Sequence, residues 1–580
     1  MGQIADTENG KADIEAKVYG NVLVELNNGV ADNAKGCVVL GSIFGCNNLN
    51  GTPKGDVKVY VYKTQNNAAT RITNAPAGNE TPAVENAKVK GQYDVAAVYG
   101  GGNQSAYVPA DLENNKTEVI IDGCDRTSIR QVYGGGNAAC TPSTSVTVNG
   151  TFEVEELFGG GNGLDNILIN GIEKPNPGAN VGYKNYSEYY QDGTVWKVRD
   201  KSDAETKDKR LASSYVYGTG VATVNVFGGL VHRVFGGSNT KGNVRQTAIT
   251  LLDENSGCSF CVDEAYGGGK SAEMDAEAKL LMACIPGLEA AYGGAEAADV
   301  QGGVTLNITN GTFQRVFGGN NLSGTICGPI KVNIEEIGCR PIIIGELYGG
   351  GNQAAYSVYG YDSNNNPKES GSNPWVDPEV NVTSFTSIGE IYGGGFGEEA
   401  VMVGNPKVNI NEAIGTPDTY PTTGDFDDTG FKGKTFTIDE GKATEHTVTC
   451  PAHKRGKMGA IGKVFGGGNA AQVKGDTNVR IGTTTGTITY EEVDAEVGKT
   501  VVTSYYIRTG AGTSESPYTY TDHPSKEAGT CDDNGKAVTG KTYYRKVEII
   551  GADIRGNVYG GGNNAEVTGN TNVTIGKRVE

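Results

Sequence analysis

Histidine is almost missing from this chain, with four residues in 580. A Ser–His or Cys–His nucleophile needs an imidazole beside it, and three of the four histidines (His446, His453 and His523) lie outside the repeated pattern described below. Triad chemistry therefore has little to build on. Proline is sparse at 19 residues, and glycine keeps no three-residue period, which excludes a collagen triple helix. No segment approaches the ~18 consecutive apolar residues of a bilayer span, so no membrane insertion is expected. The opening Met1-Gly2-Gln3-Ile4-Ala5-Asp6 lacks the basic and apolar regions of a secretory leader. Positive charge is in deficit: 49 Lys and Arg face 68 Asp and Glu, for a net charge of −19. That field repels phosphate backbones, so no nucleic-acid partner is expected.

What is abundant is glycine, 88 residues, roughly twice its usual ~7% share. With 29 Tyr, 14 Phe and 37% hydrophobic residues, the composition is not that of a disordered chain. One word recurs: an aliphatic residue, Tyr or Phe, two or three glycines, and often Asn. Counted by its aromatic it stands at Phe44, Tyr99, Tyr133, Phe158, Phe235, Tyr266, Tyr292, Phe317, Tyr348, Tyr392, Phe465 and Tyr559, with closest spacings of 25 and 26 residues. Between copies lie runs such as Val304-Thr305-Leu306-Asn307-Ile308 and Val573-Thr574-Ile575, whose period of two marks half-buried strands. Phe227-Gly228-Gly229 aligns with the Asn310-Gly311 turn and is not a further corner.

A unit of ~25 residues cannot bury its own apolar face, but coaxial stacking lets each strand pair with its counterpart in the next unit. The expected fold is all-β: a right-handed parallel β-helix, or β-solenoid, of about a dozen rungs stacked ~4.8 Å apart. Residues 1–90 read as N-terminal rungs or a cap, and 91–580 as the solenoid, with inserts near 163–214, 357–377, 412–457 and 483–541. The last unit stops after its strand, so the repeat is expected to continue. The glycines are expected to mark corners with φ > 0. The expected corner residues are Tyr99 with Asn103, Tyr133 with Asn137, Phe158 with Asn162, Phe317 with Asn320, Tyr348 with Asn352, Phe465 with Asn469 and Tyr559 with Asn563. Stacked Asn side chains can form hydrogen-bonded ladders. The aromatics either face outward as a binding surface or, the favoured expectation, bend inward with the preceding aliphatic residue into the core.

The corner word, with Phe44-Gly45-Cys46-Asn47-Asn48-Leu49 and Gly475-Asp476-Thr477-Asn478-Val479, resembles the glycine-rich YGGGN-repeat proteins of gut anaerobic bacteria. Those are large, surface-exposed or secreted, and adhesin-like. The resemblance implies architecture and an extracellular or cell-surface location, and it carries no catalytic residues.

The inserts are where recognition is expected, since loops on a rigid scaffold usually carry it. Tyr420, Asp425, Asp427, Tyr518 and Tyr520 are the candidate binding residues. His446, Cys450 and His453 have ligand-like spacing for a metal but lack an evident fourth ligand, and no cofactor is expected. The cysteines number eleven. Cys258 and Cys284 each precede a corner aromatic by eight residues, which suits either a bridge or, as favoured, stacked buried thiols, with Cys124 and Cys339 in the same core slot. The functional expectation is a non-enzymatic, adhesin-like surface protein that binds a glycan or a host or bacterial surface protein through its inserts or a solenoid face. The alternatives are a β-helix polysaccharide lyase or hydrolase, and a purely structural stalk. Carboxylates gathered in a groove would favour the enzyme, and a smooth rod the stalk.

Overall fold

The computed structural model of the chain describes residues 10, 14–27, 37–64, 93–124, 127–169, 171–185, 189–198, 212–254, 257–337, 339–411, 422–454, 458–483, 487–492, 505–509, 518–523, 544–549 and 553–576. Among them there is no helix, and so none long and apolar enough to cross a membrane. Two parallel sheets of thirteen strands each dominate. The first runs from Val22–Asn27 at one edge to Thr571–Ile575 at the other, and the second from Val39–Phe44 to Val558–Tyr559. Along the chain a strand of the first sheet is followed by one of the second, so each pass lays one strand on each sheet before moving on. A third line of single bridges, Val181 to Val244, Met274, Val300 and Ile326, accompanies them. This arrangement fits a β-solenoid.

The period-2 runs make the first sheet. Val304, Leu306 and Ile308 are buried while Thr305 and Asn307 are not, and the same residues stay in register with Ile330, Val332 and Ile334 on the next rung. Together with aliphatic residues of the second sheet they form one continuous core from Val59 to Ile481.

The corner glycines are needed for a different reason from the one expected. None of the glycines in Gly100–Gly102, Gly134–Gly136, Gly349–Gly351 or Gly466–Gly468 has a positive φ. A Cβ on Gly100 would instead lie 2.4 Å from the Gly134 carbonyl oxygen, and one on Gly466 2.3 Å from that of Gly560. Successive rungs approach too closely at the corner for any side chain. Positive φ appears in the short turns between the two sheets, as at Gly311 (110°).

The inserts carry their own small antiparallel sheets. Ile167–Ile169 pairs with Ile172–Lys174, Tyr189–Asp192 with Val195–Val198, and Lys434–Ile438 with His446–Cys450. Four strands between Thr487 and Ile549 form a further sheet. The expected insert 163–214 also contains Val181, which belongs to the third line of bridges, so part of it is rung.

Candidate functional site: an outer trough on the second sheet

Strands of the second sheet are bent. Along neighbouring rungs Val231 pairs with Val262 and Arg233 with Glu264, while Leu288 pairs with Phe313 and Ala290 with Arg315. The residue skipped each time lies three before the corner aromatic. Val231 and Val234, Leu288 and Ala291, and Phe313 and Val316 all face the aliphatic core. Two consecutive residues between them are thereby turned outward, so one side of the sheet carries the pairs Glu155–Glu156, His232–Arg233, Asp263–Glu264, Glu289–Ala290 and Gln314–Arg315. Strict alternation, read from the sequence, hides this doubling.

The corner aromatics lie on that same outward side. Arg315 sits over the Phe317 ring at 5.6 Å and Arg233 over Phe235 at 5.4 Å, and the Tyr266 hydroxyl donates to Glu264 at 2.9 Å. The rings from Tyr99 to Phe465 nevertheless are buried, stacked on one another at 4.7–5.2 Å in a cluster separate from the aliphatic core. The favoured expectation, both residues bending into one core, is thus corrected: the aliphatic residue faces the core and the aromatic makes a second one. Asn side chains four residues after most of the aromatics close it, while Lys270, Glu296 and Phe396 stand at that position after Tyr266, Tyr292 and Tyr392. Asn162 donates to Asn137 at 3.0 Å and to the Tyr99 hydroxyl at 3.1 Å, while the Tyr133 hydroxyl donates to Asn162. Asn103, Asn137, Asn352, Asn469 and Asn563 all take part in such side-chain bonds. Asn320 does not. It bonds the Ala295 amide and the Ala298 and Ser323 carbonyls, and Asn321, one residue on, fills the ladder position.

The outward pairs line a trough. One cavity of about 460 Å³ is bounded by Tyr93, Glu155, His232, Arg233, Asp263, Glu264 and Glu289. A second, of about 200 Å³, shares Glu264 and Glu289 and reaches Gln314, Arg315 and the insert residues Thr437, Asp439, Glu440 and Lys442. His232 is held from both sides, Nδ1 at 2.7 Å from Asp263 and Nε2 at 3.0 Å from the buried Glu153. Arg233 bonds Glu156 and also Glu296 at 2.6 Å, and Lys270 joins Glu156 at 2.7 Å. Burial alone would raise the Glu156 carboxyl, but hydrogen bonds from Lys270 and Gln131 and the neighbouring positive charges hold it below the usual carboxylate range.

The far end of the trough is closed by the insert hairpin. There the position three before the aromatic is Gly345, Gly389 and Gly462. Where other rungs carry charge these are bare, and Phe436 and Val448 settle against them, 3.1 Å and 2.5 Å from where Gly345 and Gly389 would carry a Cβ. Ile343, Phe426, Phe431, Ile438 and Cys450 complete that apolar contact. Arg315 bonds Asp439 at 3.0 Å, and His446 Nε2 lies 2.8 Å from the fully buried Glu346. The hydrogen bond to Glu346 raises the His446 pKa to about 9.

Two members of the expected metal triad, His446 and Cys450, are therefore spent on docking. His446 bonds Glu346 and the Thr444 carbonyl, and the Cys450 thiol, pushed up to about 12 by burial, donates to the Ile344 carbonyl. His453 is buried, and among the described residues no three His, Cys, Asp or Glu are grouped to hold a metal. Asp425 pairs with Lys434, Asp427 accepts from Thr429 within its own turn, and neither lines the trough. Tyr518 is exposed, Tyr520 lies in the strand Thr519–His523, and Tyr420 lies outside the described residues.

The cysteines also differ from expectation. Cys124 is bonded to Cys258, and Cys284 to Cys339. Each bridge joins loops that extend past the tight turns of intervening rungs: a Cβ on Gly150 would meet both Cys124 and Cys258 sulfurs at 2.7 Å. Asn310 is bracketed in the same way, accepting from the Cys284 amide and donating to the Ile337 and Arg340 carbonyls.

No protein-family model, curated protein or solved structure matches the chain. The trough must be interpreted from its own chemistry.

Proposed function

We propose that the chain is the shaft of an extracellular, adhesin-like surface protein, a right-handed parallel β-helix that holds a glycan or protein ligand in the outer trough of its second sheet. The observation that carries this reading is the pair of abutting cavities, which follow successive rungs and end against an insert hairpin. A plain stalk has no reason to place Asp263, Glu264 and Glu289 in one concavity. Two disulfides suit an oxidising compartment. The right hand follows the strong preference of parallel crossover connections. His232 has both ring nitrogens engaged by carboxylates, and this reading gives it the role of holding the trough wall together.

One observation favours a second reading. Carboxylates beside arginines in a groove are what a polysaccharide-cleaving β-helix needs, and Glu264, Glu289 and Arg315 share one cavity. Both readings are tested together by measuring binding of wild type, Asp263→Asn and Glu289→Gln to a glycan array and a panel of surface proteins, then assaying any bound polysaccharide for new reducing or unsaturated ends. Binding lost in the two variants without cleavage supports the adhesin, and cleavage abolished by Glu289→Gln supports the enzyme. Binding that survives both substitutions excludes the trough.

A further inference from the structure

One end of the trough already holds a polypeptide. The insert strand His446–Cys450 lies across three successive rungs, those of Tyr348, Tyr392 and Phe465. Val448 packs where Gly389 has no side chain, and the Thr449 carbonyl oxygen is 3.5 Å from where Gly462 would carry a Cβ. His446, whose pKa is raised to about 9 and which is therefore a cation at neutral pH, bonds the buried Glu346. The outer face of the second sheet is thus an interface for extended chain, in which a basic side chain of the occupant meets a carboxylate of the rung.

The same outward columns continue through the rungs of Tyr266, Tyr292 and Phe317, where the position three before the aromatic is no longer glycine but Asp263, Glu289 and Gln314. Here the two cavities meet, at Glu264 and Glu289, which line both. The cations of the lining are already engaged. Arg233 is held by Glu156 and Glu296, which line neither cavity, and Arg315 and Lys442 are held by Asp439. In the larger cavity Glu155, Asp263, Glu264 and Glu289 stand against that one arginine. An acidic guest, such as a uronate polymer, would meet a negative wall in a chain of net charge −19. A basic guest meets carboxylates, as His446 meets Glu346.

We infer that the open part of the trough receives an extended segment of a partner protein, its lysine or arginine side chains reaching Asp263, Glu264 and Glu289 and its backbone continuing the path that the insert hairpin follows on the next rungs. Given the trough as the ligand site, on which this rests, its ligand is narrowed from a glycan or protein to a basic protein segment. Every second side chain of an extended segment points to the same side, so alternating basic residues present one cationic row to the trough.

Fluorescence anisotropy with labelled probes on the 580-residue protein tests this. The probes are a short alternating Lys-Thr peptide, the same peptide with Nε-acetylated lysines, an alternating Glu-Thr peptide, and a panel of neutral and acidic oligosaccharides. Wild type binds the Lys-Thr peptide alone, and binding weakens as salt rises. Glu264→Gln combined with Glu289→Gln weakens it about tenfold, and Glu289→Gln alone by less. Both variants keep the wild-type unfolding curve, since a glutamine amide oxygen still accepts from the Tyr266 hydroxyl. A charge-matched control, Glu25→Gln with Glu335→Gln at exposed positions of the first sheet, leaves binding unchanged and so separates the trough from the overall negative field. Equal weakening by the control overturns the inference, as does equal binding of the acetylated peptide or no binding of the Lys-Thr peptide. If an oligosaccharide binds instead and Glu289→Gln removes that binding, the trough remains the ligand site and the basic partner alone is overturned. If the Lys-Thr peptide binds undiminished to the double variant, the trough is not the site and both readings fall.

Discussion

Replacing His446 by Gln separates the insert hairpin from the shaft without touching either sheet. Glu346 is fully buried at the outward position of its rung, and its charge partner is the His446 ring, 2.8 Å away. A buried carboxylate stripped of its cation costs about 3–5 kcal/mol. The His446 side chain is still 32% exposed, so solvent screening reduces this to about 1–2 kcal/mol. Hairpin opening should then rise about 5- to 30-fold. Cys450 is a built-in reporter, because it is fully buried under the hairpin and becomes reachable only when the hairpin lifts. Its rate of maleimide labelling, read by peptide mass spectrometry, is compared between wild type and His446→Gln at each pH, so that intrinsic thiol reactivity cancels. The His446 pKa is raised from 6.5 to about 9. Its contribution is therefore complete below pH 6.5 and is lost as pH rises through about 9. The variant should label faster than wild type at pH 6, and the two should converge above pH 9. Equal rates at pH 6, or a difference that persists undiminished at pH 10, would refute the reasoning.

In the aromatic column, Tyr266→Phe removes hydroxyl bonds to Glu264 and Asn321 and should destabilise by about 1 kcal/mol, whereas Tyr266→Ala opens a cavity costing about 3–5 kcal/mol, both read by denaturant unfolding. Gly100→Ala should be far more damaging than its size suggests, because the new methyl meets the Gly134 carbonyl; loss of cooperative unfolding by circular dichroism is the expected result, and a variant within 1 kcal/mol of wild type would contradict the close-approach account. Reducing the Cys124–Cys258 bridge, which closes 134 residues, should lower stability by about 2–5 kcal/mol, measured as a shift in denaturant midpoint with and without a thiol reductant.

Much of the fold is legible in the chain because a repeated word has a repeated environment. The Tyr or Phe of each corner marks a strand of the second sheet, and Val-x-Ile or Val-x-Val runs mark the first. What one sequence does not expose is where the chain departs from period two. The bend before each aromatic sends two neighbours outward, and nothing in the spacing of the chain announces that His232 is clamped between Glu153 and Asp263. Cys258 and Cys284 share an offset from their aromatics and yet bond to Cys124 and Cys339, because loop reach beyond the rung, not rung order, decides which sulfurs meet. The ligand-like spacing of His446 and Cys450 has another use for a related reason: a strand that docks on a sheet directs its side chains to that sheet. Asn321 could have been found by counting four from Phe317, as the other ladder residues allow.

The stacked rings have an optical consequence. Consecutive rings from Phe44 to Tyr559 lie 4.7–5.2 Å apart and within 12° of parallel. Chromophores so arranged share their excitations, and each ring shields the protons of its neighbours. The near-ultraviolet dichroism of this protein should therefore report how many rungs remain in uninterrupted contact, and a single misplaced ring would split the signal into two shorter columns.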